Sequence, residues 1–582
     1  MAALPIVASL AEPADEPARH SIDGGWMRRL AAEFGSPALL VTAAGLGAAA
    51  GAFLLSQHLQ PCDDAYITFR HARNLARYLR PAWNLEGRPV LGSTSPAFVF
   101  LLGGLGLVLG VDRIDQLAFA LNAVLLAAIT LLAYLVARDL GAGPIPALAA
   151  AALVGFNSVN VFILSQGFEA GLLLAVLMAG LYLARTGRDL PAVVLASAAP
   201  LVRPEGILLT PLVWGAILLG RRFRARLLAA YLALPLAWLV FSTAYYGSPI
   251  PQSIRARRAE PAVFRPYGGG RVDLAHRLAS IVPEAAALAR REAGFYLLTG
   301  YRRLEEVPGG RLGPAWLTLL GLPVLGATLL RRPDARIVYL LYAPLFLALY
   351  GWIGHREAWY FPSFVTFGVL TLFHGGVVTL DRGWSLLKRI TGFTSPWLPA
   401  LSWTAVGALL LPANNYAVNH GQAEKGRLFA RDPRGEAFER AEHERFNGYR
   451  RVAGMLNRRG DPPEPALTSE VGVFGFFYRG EVIDTVGLCT PEALAFYPPP
   501  ASDVWDERGR PLTYEDNLTP TRMVLDLKPT YVVNGLGFVR NLLQPGHPFR
   551  RKYVLLGSFG TAWGDPLLVF ARKDAAAGPD GP

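Results

Sequence analysis

Cysteine is nearly missing from this chain of 582 residues, with only Cys62 and Cys489 present. That scarcity excludes a disulfide-stapled scaffold and a thiolate zinc site, and leaves at most one bridge if both thiols face the same compartment. Charge is scarce as well: 17% of residues are Asp, Glu, Lys or Arg against 52% hydrophobic, leaner than water-soluble domains carry. The formal balance is +12, almost wholly from arginine. These basic clusters alternate with apolar stretches and never form one continuous face, which argues against nucleic acid as a partner. Internal repeats are lacking, and Gly268 to Gly270 has no strand-to-helix setting that would make it a nucleotide cradle.

What is present is a long series of Ala-, Leu-, Val- and Gly-rich segments from Pro37 to about Pro412. A bilayer crossing takes roughly 20 such residues, so the chain reads as an α-helical polytopic membrane protein. Residues 1–36 form a polar N-terminal segment expected in the cytoplasm, 37–412 the membrane domain, and 413–582 a domain polar enough to fold in water. Arg28 and Arg29 precede the apolar run Ala38 to Leu55, the pattern of a signal anchor. A cleaved signal is the rival, since Ala48 to Ala52 resemble a processing site, but the run continues through Leu55.

Short loops rich in basic residues stay in the cytoplasm. Arg28/Arg29, Arg138, Arg185/Arg188, Arg221 to Arg226, Arg331 to Arg336 and Arg382 to Arg389 therefore mark one side. With these six inside, Ala38 to Leu55 runs outward and Ile114 to Val136 returns, and Pro96 to Val111 must be re-entrant or interfacial. Between Arg188 and Arg221 the chain must go out and back, so Pro191 to Val202 and Gly206 to Leu219 read as two short limbs with Arg203-Pro204-Glu205-Gly206 at the apex. One long kinked helix is the alternative. Leu227 to Phe241, Trp316 to Leu330, Ile337 to Ile353, Tyr360 to Leu380 and Trp397 to Leu411 follow, giving about 11 crossings. This places the C-terminal domain in the periplasm of a bacterial inner membrane. There the pattern predicts a helix over Pro433 to Arg459, strand-like runs at Ala466 to Phe477 and Val482 to Val486, a helix capped by Thr519 and running to Leu527, and strands at Thr530 to Asn534, Lys552 to Ser558 and Pro566 to Ala571. Together they make a small α/β domain.

Asp63 and Asp64 stand just past the first apolar segment, where water meets the outer face. Two adjacent carboxylates can serve as general base and partner, hold a divalent cation, or merely cap the helix that follows. That helix, Tyr66 to Leu79, is amphipathic with Arg70, Arg73, Arg77 and Arg80 away from its apolar side, suited to anionic lipid headgroups. Glu169, Arg203 and Glu205 fall at the outer ends of separate spans, and ionisable groups at such depth face a cavity or one another. They are expected to line one pocket with the aspartates, although Arg203 and Glu205 are equally readable as a structural pair. Further along stand Tyr246, Gln252, Arg255 and Arg257, whose arginines suit phosphate, and His355 and Arg356 beside Trp359 and Tyr360. A solvated basic loop and an aromatic interfacial belt are the plainer alternatives.

Several of these segments together resemble the GT-C membrane glycosyltransferases, most closely the AftB-type terminal arabinofuranosyltransferases and related bacterial proteins. The resemblance lies in Asp63-Asp64-Ala65-Tyr66 and the residues through Ala76, Trp83-Asn84, Ser93-Thr94-Ser95-Pro96, Gly167-Phe168-Glu169-Ala170, Arg203-Pro204-Glu205-Gly206, Tyr246-Gly247, and Pro251 to Arg257. In the C-terminal domain it covers Glu470-Val471-Gly472, Ile483-Asp484-Thr485-Val486-Gly487-Leu488 and Lys528 to Val532. Gln252, Ser253 and Arg257 depart from the Asn, Thr and Lys usual there.

The resemblance implies a donor sugar linked to polyprenyl phosphate, such as a pentofuranose, and a glycan or lipid acceptor in the cell envelope. It implies a catalytic aspartate in the first outer loop, read here as Asp63 with Asp64 as partner or metal ligand. Arg70, Glu169, Arg203, Glu205, Tyr246, Gln252, Arg255, Arg257, His355, Arg356 and Asp484 are the implied substrate contacts. A divalent cation is the only cofactor considered. The rival class is a transporter or flippase of lipid-linked sugars, which calls for charges at mid-membrane and a repeat between halves.

Overall fold

The computed structural model describes residues 36–58, 62–256, 336–353, 360–392, 436–460, 463–504, 518–560 and 566–576, with positions 281 and 283 besides. The apolar segments fold as helices, as backbone in hydrocarbon must. In chain order they are α1 (Ser36–His58), α2 (Asp63–Tyr78), α3 (Pro96–Leu109), α4 (Ile114–Asp139), α5 (Pro144–Gly155), α6 (Ser158–Ser165), α7 (Ala170–Arg185), α8 (Asp189–Val202), α9 (Leu209–Leu219), α10 (Ala225–Tyr246), α11 (Ile337–Ile353) and α12 (Phe361–Thr391). Among the described residues three stretches are long and apolar enough to cross a membrane: Leu40–Gln57, Val111–Asp139 and Ala225–Tyr246. The pair Pro144–Gly155 and Val159–Ser165, bent by 45°, makes a fourth if counted as one span, and the other apolar helices are shorter. The expected crossings at Trp316 to Leu330 and Trp397 to Leu411 lie outside the described residues. The marker Arg382 to Arg389 falls within the polar extension of α12 and not in a loop.

The two-limb expectation between Arg188 and Arg221 agrees with the structure. Helix α8 ends at Val202, Arg203 is extended at φ −158° and ψ 149°, and Pro204–Leu208 makes a tight turn into α9. The chain folds back so closely that a Cβ on Gly206 would lie 2.2 Å from the Ala199 carbonyl oxygen. Such an approach is open to glycine alone.

The basic markers collect at one end of the bundle. Arg185, closing α7, is bidentate to Asp139 at the end of α4 (3.0 and 3.2 Å). Arg222 pairs with Asp189 at the start of α8 (2.9 Å) and donates to the Ala184 and Ala216 carbonyls (2.7 and 3.2 Å). Helix α7 is 16 residues long, so Glu169 at its other end is some 24 Å away.

The C-terminal domain begins with α13 (Glu436–Asn457) and continues with β1 (Ala466–Thr468), α14 (Gly472–Phe477), β2 (Val482–Asp484), α15 (Thr521–Leu527), β3 (Tyr531–Gly535), β4 (Tyr553–Phe559) and β5 (Leu567–Arg572). The strands form one mixed sheet in the order β2-β1-β3-β5-β4, parallel among the first three and antiparallel thereafter. Strands and helices are both present in this part of the chain, with two corrections to the expected elements. Ala466 to Phe477 is not one extended run, because after Thr468 the chain turns into α14, whose Gly472 to Phe476 are buried. The apolar run is buried on a helix packed beneath α13 and against α2, and periodicity alone does not separate a short buried helix from a buried strand. Thr519 does not cap α15; its hydroxyl accepts from Asn534 (2.9 Å), and Asp503 takes the Thr521 N–H (2.9 Å).

The hairpin turn makes a clear prediction. Gly206→Val should lower the thermal midpoint of detergent-purified protein by several degrees, as overpacking against backbone costs about 1–3 kcal/mol. Gly215→Ala, where no neighbouring atom lies within 4 Å, should leave it unchanged in the same fluorescence melt.

Candidate active site

The first loop and the C-terminal domain meet at Asp63. Its carboxylate opens α2 and accepts hydrogen bonds from the backbone N–H groups of Gly472 (2.9 Å) and Val473 (2.7 Å). A Cβ on Gly472 would lie 1.8 Å from the Asp63 carbonyl oxygen, so the two backbones touch because that residue has no side chain. Burial raises the Asp63 carboxyl above its ordinary range and the neighbouring charge of Asp64 adds to this, while the two N–H donors and Arg445 oppose it. Asp64 is adjacent and half-buried.

Arg70 does different work from that expected of a substrate contact. It is buried, stacked 4.7 Å over the Trp83 ring, and all five of its N–H donors are taken. They go to the carbonyls of Trp83 (2.8 Å), Gly475, Tyr478 (3.0 Å) and Gly480 (3.0 Å) and to Asn84 Oδ1 (3.1 Å). No donor is left for a ligand. Arg73 likewise donates to the Phe476 carbonyl. The basic face of α2 thus mates with backbone carbonyls of the C-terminal domain, and the exposed arginine of this helix is Arg77, paired with Asp112 at 3.1 Å. His71, fully buried on α2, takes a hydrogen bond at Nε2 from the Gly92 N–H (3.1 Å), which leaves Nδ1–H to donate to the Ile67 carbonyl (2.8 Å). It orders the first loop.

The structure brings Glu169, Arg203 and Glu205 together. Arg203 Nη1 lies 2.5 Å from Glu169 and Nε 2.5 Å from Glu205, and all three are buried. The guanidinium stacks 4.7 Å from the Tyr360 ring at the start of α12. Two carboxylates around one arginine leave no positive excess, so this group holds α7, α8 and α12 together more readily than it would hold a phosphate. Gly167, just before Glu169, packs on Phe69 of α2: a Cβ there would lie 2.8 Å from that ring. The triad and the first loop therefore share one end of the bundle, opposite the Arg185–Asp139 pair.

Tyr246, closing α10, donates to the Pro81 carbonyl (2.6 Å). Gln252 donates its backbone N–H to the Leu91 carbonyl (2.9 Å) and its Nε2 to Gly487 (3.0 Å), which sews this segment to the first loop and to the turn after β2. That turn is shaped by Asp484, whose oxygens accept from Val486 N (2.8 Å) and Cys489 N (2.8 Å). Burial pushes its carboxyl up to about 6 against these hydrogen bonds, and the side chain is wholly enclosed. Its acceptors serve its own turn, so Asp484 shapes the wall of the site and does not face a substrate. Arg255 is exposed. Arg257, His355 and Arg356 lie outside the described residues. Cys62 and Cys489 are free thiols.

Of three further basic residues at this end, Arg80 continues the basic face of α2, whereas Arg88 and Arg445 carry no signal in the sequence. Arg88 packs directly over Gly247, and Arg80 hydrogen-bonds Tyr245, so both stand where α10 meets the first loop. Arg445, on α13, pairs with Glu470 at 2.8 Å, two residues before Gly472. Arg445 belongs to a polar helix far along the chain, and only the fold brings it to Asp63.

Asp63 and Asp64 alone do not complete a ligand set for a divalent cation. Both Asp63 oxygens already accept N–H groups, and among the described residues no three His, Cys, Asp or Glu side chains gather as a ligand set.

Neither a protein family nor a curated protein matches the sequence. Solved structures do. ArnT from Cupriavidus metallidurans bound to undecaprenyl phosphate is similar at 12% identity over 92% of this chain and 98% of that one, with a TM-score of 0.50. The apo state of the same protein gives 14% identity, 96% and 99% coverage and a TM-score of 0.46. The oligosaccharyltransferase of Archaeoglobus fulgidus tethered to an acceptor peptide gives 14%, 89%, 74% and 0.44. The first of these shows a common fold along nearly the full length of both chains.

If the triad is structural, Arg203→Met should be among the most damaging single changes at this end, since it strands two buried carboxylates at a cost of about 3–5 kcal/mol. Arg203→Met/Glu169→Gln/Glu205→Gln should recover much of that loss in size-exclusion monodispersity after heating.

Proposed function

We propose that this protein is an integral-membrane glycosyltransferase that moves a sugar from a polyprenyl-phosphate donor to a cell-envelope glycan or lipid on the periplasmic face. The observation that carries the reading is the placement of Asp63 and Asp64. They stand at the end of the bundle opposite the arginine-rich helix ends, between a membrane domain of GT-C fold and a water-facing domain. ArnT of the same fold was solved with undecaprenyl phosphate, which supports a lipid-linked donor here. The positive-inside tendency of Arg138, Arg185, Arg188 and Arg221 to Arg226 supports the periplasmic side and the inner membrane.

In this reading an acceptor hydroxyl attacks the anomeric carbon, the bond from that carbon to the phosphate oxygen breaks, and polyprenyl phosphate departs with the bonding electrons. Asp63 takes the hydroxyl proton. Each of its oxygens keeps one lone pair beyond the N–H bond it accepts, and its raised proton affinity suits a base. Asp64 supports it. With Arg70 and Arg203 engaged, the charge of the departing phosphate falls to Arg255 and Arg257 of the segment after α10 and to the Arg80 and Arg88 edge. The segments that resemble AftB-type enzymes support a pentofuranose such as arabinofuranose as the sugar moved. Residues 413–582 serve as the acceptor-facing domain.

Removal of the protein should cause one lipid-linked sugar to accumulate, and mass spectrometry of the polyprenyl-phosphate fraction names it. Asp63→Asn/Asp64→Asn should abolish transfer from that donor by roughly 10²-fold or more while the melt stays cooperative; normal turnover would refute the site. Because Asp63 must be ionised and burial raises its pKa, kcat/KM should fall as pH drops through a value above the ordinary 3.8 and be flat on the alkaline side of that limb. Lipid translocation in vesicles without any transfer would favour the flippase.

A further inference from the structure

We propose that Arg445, on the C-terminal domain, is a positioning residue for Asp63; this rests on the reading of Asp63 as the base. Arg445 Nη1 lies 2.8 Å from Glu470 Oε1, with the glutamate side chain 13% exposed. Glu470 sits in the turn between β1 and α14, and that turn is pinned on its other side as well. The Ser469 N–H goes to Asn534 Oδ1 at 2.7 Å, and the Thr485 hydroxyl donates to Ser469 Oγ at 2.8 Å. The pinned turn ends in the two N–H groups that hold the Asp63 carboxylate. Arg445 thus acts on Asp63 through four residues of backbone, and the base of a membrane domain is aimed by a side chain of the water-facing one.

The arrangement has an electrostatic side with the same sign. Around Asp63 the first loop places Cys62, Asp64 and Tyr66, α13 places Arg445 and Tyr449, and the turn places Glu470. Burial and Asp64 work against ionisation of Asp63, whereas Arg445 and the two N–H groups favour it. Losing Arg445 removes a cation directly and slackens the two donors indirectly. Both effects drive the Asp63 carboxyl further up. α13 is fixed in place independently by ring contacts between Tyr449 and Phe474 (6.5 Å) and between Phe446 and Tyr66 (5.6 Å), so removing one charge need not undock it.

The test uses full-length protein in detergent micelles and needs no substrate. Hydrogen exchange of the 469–475 peptide, read by mass spectrometry, should speed up about fivefold or more in Arg445→Gln and in Asp63→Asn. The double variant should be no faster than either, as expected for two changes in one relay. Water-soluble carbodiimide couples to protonated carboxyl groups, and labelling of Asp63 against pH should shift its midpoint upward in Arg445→Gln and return toward wild type in Arg445→Lys. A merely structural arginine would speed exchange without moving that midpoint in a charge-dependent way. Unchanged exchange and midpoint in Arg445→Gln, or multiplying effects in the double variant, would overturn the proposal. Should Arg445→Gln unfold, Arg445→Lys decides: slow exchange with a native midpoint supports the relay, and fast exchange overturns it. Normal transfer by Asp63→Asn/Asp64→Asn would sink the base assignment while leaving both readouts as they are.

Discussion

The buried guanidinium of Arg70 is the interaction on which the rest of this arrangement depends. A cation is costly to remove from water, and here the cost is met by four carbonyl dipoles, one amide oxygen and the Trp83 ring. Three of the five acceptors, on Gly475, Tyr478 and Gly480, belong to the C-terminal domain. Because all five must be present together, α2, the loop carrying Trp83 and Asn84, and the chain after α14 have one joint solution. That solution sets Asp63 against Gly472 and Val473, and so decides where a carboxylate of the first loop faces water.

The second organising element is the separation of charge along the bundle. Basic side chains at one end are matched by Asp139, Asp189 and helix-end carbonyls, as expected where partial negative charge gathers at helix C-termini. At the other end the charged groups are drawn inward: Glu169 and Glu205 close on Arg203, and Asp63 closes on two N–H groups. The first end is a belt of contacts reaching the surface; at the second the Arg203 triad is buried and Asp63 is half-buried.

How much of this was legible in the sequence follows from the range over which each residue acts. The break at Arg203-Pro204-Glu205-Gly206 was readable, because proline and the residue before it act locally and the basic loops fixed parity. The meeting of Glu169 with Arg203 was readable too, because charges at the outer ends of spans have few partners. The helix at Gly472–Phe477 was not, since a short buried run of Val and Phe serves strand and helix alike. The role of Arg70 escaped for a different reason. Three of its five acceptors are backbone carbonyls more than 400 residues away, and carbonyls carry no residue-specific signal. Asp484 misled because its carboxylate serves the N–H groups of its own turn, and Arg445 went unnoticed because its partner Glu470 lies on a turn distant from Asp63 in sequence.

The separation of 405 residues between Arg70 and Gly475 also has a meaning in time. A ribosome adding about 5–20 residues each second needs roughly 20–80 seconds to make that stretch. Throughout that interval the arginine of the newly emerged loop has none of its distant acceptors and must stay hydrated. The first loop therefore reaches its final shape only when the chain has been made through Gly480, and a product terminated before that point would be left with an open loop. Order at one end of the chain thus waits on synthesis of a segment far from it.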